Sequence, residues 1–143
     1  MVETFDCENV WRNQMPEIVS LLDNRGEVKS AFQVDHVFVD IRPHNKRACP
    51  IKIWIYETAF DIYVGDLSAV GDIDISSISY IDVLKSVFRG DIKIERGIFL
   101  GIEVFRSVSI KCEDNLEIGS VQNFIPFFNK SLCAVDPIYF NPY

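Results

Sequence analysis

A chain of 143 residues that is 48% hydrophobic and 13% aromatic has the material for one buried core, so one domain over residues 1–143 is expected. Its 24% charged residues and mixed composition exclude a disordered chain, which would lack the apolar surface that offsets ordering entropy. No window approaches the roughly 20 apolar residues that span a bilayer. The acids of the opening MVETFDCENVWRNQ also stand where a secretory signal would carry basic residues before an apolar run, so the expected compartment is the cytoplasm.

The first helix is predicted over MPEIVSLLDN, residues 15–24, with Asn13 placed to cap it. Pro16 falls in its first turn, where a missing N–H costs little, and Ile18, Leu21 and Leu22 share one face. Residues 31–41 read as a strand with Phe32, Val34 and Phe38 on one side and Val37, Val39 and Ile41 on the other. RPHNKRACP reads as a loop, and IKIWIYE and AFDIYVG as two strands joined by a tight turn near Thr58, which makes a three-stranded meander. Gly65 and Gly71 punctuate the stretch up to Ser76, which reads as a loop. From Ser77 the spacing of Ile81, Leu84 and Phe88 predicts a helix, with Ser79, Asp82, Ser86 and Arg89 on its far side and Gly90 at its end.

DIKIE and GIFLGIEVFRSVSIK read as a hairpin divided at Arg96 and Gly97. NLEIGSVQNFIPFFNKSLC reads as a short strand and then a helix from about Ser120, although Pro126 sits awkwardly inside it, and DPIYFNPY packs back on the core. Strands outnumber helices and do not alternate with them. The expected class is therefore α+β, with a mainly antiparallel sheet of about five strands and two or three helices.

Sequence motifs give little support for catalysis. Cys7, Cys49, Cys112 and Cys133 are scattered without a C-x-x-C pair, as in a protein with reduced thiols. Only His36 and His44 are available as catalytic bases, and there is no phosphate-cradling glycine loop. His36 reads as a structural histidine beside Asp35, and His44 as part of a short basic loop with Arg42, Lys46 and Arg47, whose expected role is a solvated connection. Trp54 reads as a core residue, whereas Tyr56 and Tyr63 can bury a ring and still present the hydroxyl.

The net charge of −7 is unevenly distributed. Residues 1–52 hold eight acids and seven Lys or Arg, and residues 85–143 hold seven of each. Residues 53–84 hold Glu57, Asp61, Asp66, Asp72, Asp74 and Asp82 with no Lys or Arg. Such a segment repels phosphate backbones and anionic bilayers, so neither nucleic acid nor a membrane is an expected partner. It speeds capture of a positively charged protein instead, by roughly 10 to 1,000-fold at low salt.

With the acid-only stretch IWIYETAFDIYVGDLSAVGDIDISSISYIDVL set in a single α+β domain, the chain resembles in type the small cytoplasmic immunity proteins of bacterial toxin systems, including those of contact-dependent growth inhibition. The resemblance implies neutralisation of a cognate toxin, for instance a nuclease, by tight and specific binding, with no catalysis and no cofactor; it assigns no residue roles. On charge and position, the residues expected to meet a toxin with a basic surface are Asp61, Tyr63, Asp66, Asp72, Asp74 and Asp82. Two other readings stay open. Asp72 and Asp74, spaced D-x-D, can hold a divalent cation in a small enzyme or metal-dependent domain, and the apolar carboxy-terminal segment can join copies of a homo-oligomeric structural subunit.

Overall fold

A computed structural model describes residues 5–65 and 68–143. Asp6 opens helix α1 (Cys7–Leu22) by accepting a hydrogen bond from the Asn9 N–H at 3.0 Å, and Asp23 closes it in the left-handed conformation. The helix thus begins well before the predicted Met15, and Pro16 lies inside it. The Asp6 cap and the packing of Trp11 and Met15 against the core outweigh the one backbone bond lost at the proline.

The strand predicted over residues 31–41 is two strands. β1 (Gly26–Phe32) and β2 (Val37–Pro43) are joined by a turn in which the Gln33 N–H donates to the His36 carbonyl at 2.8 Å. Val34 sits at the tip, 96% exposed, and shares no strand face with Phe38. β3 (Ile51–Ile55) and β4 (Ala59–Val64) follow as expected. β5 (Ser68–Asp74) replaces the expected loop and completes an antiparallel sheet in the order β1-β2-β3-β4-β5.

One face of this sheet is apolar: Val37, Val39, Ile41, Ile51, Ile53, Ile55, Phe60, Ile62 and Val64 are all buried. Each such side chain contributes on the order of 1.5–3 kcal/mol through the area it removes from water. α1 meets this face through β1 and β2 and touches α2 (Tyr80–Arg89), whose Tyr80 ring stands edge-on to Phe60 at 6.1 Å. α2 is capped by Ser79 and ended by Gly90, whose φ of 82° suits glycine. Ser86, expected on its exposed side, is fully buried and donates to the Asp82 carbonyl.

The second sheet has the order β8-β7-β6-β9, with β6 (Ile92–Phe99), β7 (Ile102–Lys111), β8 (Glu117–Asn123) and β9 (Ala134–Tyr139). β6 continues through Arg96 and Gly97, with a shift of register against β7 between Gly97 and Ile98, and the hairpin turns at Leu100 and Gly101 instead. Gly97 has a packing role there: a Cβ would lie 2.0 Å from the Phe105 ring. The helix expected from Ser120 does not form, because the chain from Glu117 to Asn123 pairs along β7. Two residue pairs show how the register favours the strand, Ile118 facing Ile110 and Ser120 facing Val108.

Ile92, Ile94, Val108 and Ile110 belong to the same buried cluster as the first sheet, and Ile138, Phe140 and Tyr143 pack against it as the tail predicted. The class is α+β, as expected. Among the described residues it comprises nine strands in two antiparallel sheets and two α-helices, more sheet than the predicted five strands.

Candidate functional site, the outer face of the five-stranded sheet

Successive strand residues point to opposite faces, so the residues between the buried ones form the outer face of the first sheet. Register places Phe38, Trp54 and Asp61 side by side in one row, and Asp40, Lys52, Tyr63 and Ala69 in the next. The Phe38 and Trp54 rings lie 4.7 Å apart, and Trp54 meets Tyr63 edge-on at the same distance. Trp54, expected in the core, is therefore half-buried in an outer aromatic row. The inward isoleucines on either side of it in IKIWI were the signal for this position.

Acids border the row on the β4–β5 side. Asp61 faces a β-bulge in which Gly71 and Asp72 together oppose it, and its Oδ1 accepts the Asp72 N–H at 2.7 Å. Asp72 holds a φ of 56°, a conformation that Asp and Asn tolerate better than most residues. Asp74, opposite Ala59, accepts hydrogen bonds from the Ser76 hydroxyl at 2.8 Å and the Ser76 N–H at 2.9 Å. These bonds hold its carboxyl below the usual carboxylate range, the hydroxyl contributing most. Burial, followed by the charges of Asp61 and Asp35, raises the Tyr56 phenol.

The fold thus brings Asp61, Tyr63, Asp72 and Asp74 to one side of the β4–β5 ribbon. Among the described residues, no ion pair involves Asp61, Asp72 or Asp74. Asp82 is not part of this group: it lies on α2 beside Ser79, Glu113 and Asp114, 3.9 Å from the Lys85 Nζ. Asp66 lies outside the described residues. Sequence reasoning missed Phe38 and Trp54, which complete the aromatic row.

The histidines are held locally. His36 Nδ1 lies 2.7 Å from Asp35 Oδ1 in the turn rather than in a strand, and the His44 N–H donates to the Arg25 carbonyl. The four cysteines are free, and burial pushes the Cys49 thiol up to about 12. Among the described residues no three His, Cys, Asp or Glu side chains stand together as a metal site, and no helix is long and apolar enough to cross a membrane. No family model, curated protein or solved structure matches the chain.

Proposed function

We propose that this chain is a binding protein of the bacterial immunity type, acting in the cytoplasm, which neutralises a toxin by seating the toxin's basic surface on the outer face of the five-stranded sheet. One observation carries the reading: the Phe38, Trp54 and Tyr63 rings form a row on the outer face and are bordered by Asp61, Asp72 and Asp74, which take part in no ion pair among the described residues. An aromatic patch with a charged margin matches the anatomy of protein interfaces, in which rings supply contact area and unpaired charges steer approach. Tyr63, 43% exposed, is the ring best placed to anchor the partner, with Asp61, Asp72 and Asp74 attracting its Lys and Arg.

The test is protection. A protein captured with this chain from its source cell is expressed with and without the chain present. The reading expects growth arrest by the captured protein alone, rescue by the native chain and loss of rescue by Asp61→Lys combined with Tyr63→Ala. A captured partner that is harmless on its own would remove the immunity reading.

A further inference from the structure

At its opposite corner the same sheet face carries cations. A recess of about 330 Å³ is lined by Asp40, Arg42, Asn45, Lys46, Lys52 and Gly65, within the size range of small-molecule sites. Three cations share it with a single carboxylate. Arg42 Nε lies 3.5 Å from Asp40 Oδ2, and while the Asp40 side chain is 13% exposed that of Arg42 is 65% exposed, which leaves its guanidinium open to a ligand. Lys46 and Lys52 take part in no ion pair among the described residues. In a chain with 21 acids and 14 Lys or Arg, a recess lined by two cations without an ion pair among the described residues carries a local surplus of positive charge that suits a dianion.

The loop that carries Lys46 is built rather than merely solvated. The Asn45 side chain donates to the Pro142 carbonyl at 3.0 Å, the Asn141 N–H donates to the Arg47 carbonyl at 3.0 Å, and the Tyr143 hydroxyl donates to the Cys49 carbonyl. The carboxy terminus thereby fixes the loop before any ligand arrives, which lowers the ordering cost of binding. Lys52 and Gly65 also line a second, neighbouring recess with Trp54, Tyr63 and Gln122. Lys52 stands directly opposite Tyr63 and two residues from Trp54 on the same face, about 7 Å along the strand.

We infer that this corner binds an organic phosphate, with the phosphate group on Arg42, Lys46 and Lys52 and a planar ring against Trp54 and Tyr63. The site shares the Trp54 and Tyr63 rings with the proposed protein partner but draws on the cations at one end of the row, whereas the partner is assigned to Asp61, Asp72 and Asp74 at the other. Aromatic faces accept flat rings without demanding a particular pattern of hydrogen bonds, so the class is set by a phosphate monoester joined to a ring.

The experiment is a titration with AMP, adenosine, ribose 5-phosphate and inorganic phosphate, followed by tryptophan emission in a Trp11→Phe background and by amide chemical shifts in the native chain. AMP should quench Trp54 saturably and shift the amides of Lys46, Lys52 and Trp54. Inorganic phosphate should compete with it, ribose 5-phosphate should bind without quenching, and adenosine should bind at least tenfold more weakly. Lys46→Gln with Lys52→Gln should weaken AMP at least tenfold, and the single substitutions should do so in part if the double variant fails to fold. Asp61→Asn, Asp72→Asn and Asp74→Asn together should leave AMP binding intact, so this assignment and the toxin reading fail separately. No saturable change with AMP, equal binding of adenosine, or unchanged affinity in the lysine variants would overturn the assignment.

Discussion

The two sheets treat their charges differently. In the four-stranded sheet Lys93 meets Glu95, Arg96 meets Asp136, and Arg106 grips both oxygens of Glu103 through Nε and Nη2 at 2.6 and 2.7 Å. In the five-stranded sheet Arg42 and Asp40 pair, whereas Asp61, Asp72 and Asp74 on one side and Lys46 and Lys52 on the other do not. Neutralised pairs within a sheet serve the fold. Charges left without partners beside uncovered rings cost little in water and retain their full attraction for an incoming molecule. On the proposed function, the contrast separates the paired charges of the four-stranded sheet, which hold the structure, from charges left open to a ligand.

The comparison is sharpened or broken by substitutions in each sheet. Phe60→Ala in the shared core should cost about 3–5 kcal/mol in urea unfolding and lower both sheets in one transition; two separate transitions would show that the sheets do not share a cooperative core. Glu103→Gln in the second sheet should cost about 1.5 kcal/mol at neutral pH, as for a charged hydrogen bond. Hydrogen bonding from Arg106 holds the Glu103 carboxyl below its ordinary 4.5, so its contribution is present above that pH and is lost as the pH falls through the lower folded value. The penalty of Glu103→Gln should therefore fade in acid, and a penalty constant with pH would contradict the pairing. Asp61→Asn and Asp72→Asn should each change stability by no more than about 0.5 kcal/mol, because neither gives up an ion pair. The smallest effect is local: Ser76→Ala should raise the Asp74 carboxyl toward its ordinary 3.8 in an NMR titration, with no change in fold.

Much of this was legible in the sequence, and the misses have physical causes. Strict alternation in IKIWI and the helical spacing of Ile81, Leu84 and Phe88 placed β3, β4 and α2 closely. β5 was hidden because the bulge at Gly71 and Asp72 breaks the alternation of Val70 and Ile73, so a strand reads as a loop. β1 was hidden because its inward positions, Val28, Ser30 and Phe32, are only partly apolar and lie at a sheet edge. The uneven charge singled out one region of chain but could not show which acids meet: Asp61 and Asp72 touch across eleven residues, while Asp82 leaves the group on α2. Nor could spacing reveal the cationic corner, since Arg42, Lys46 and Lys52 come to line one recess through the pairing of β2 with β3 and the course of the loop between them.

The central claim is that the acids beside the aromatic row steer a basic partner onto it. Stopped-flow association of the purified partner with the native chain and with the Asp61→Asn, Asp72→Asn, Asp74→Asn variant, at low and high ionic strength, tests it most directly. The native rate should exceed the variant's by roughly 10-fold or more at low salt and converge on it at high salt. Equal rates with equal salt dependence would contradict the claim.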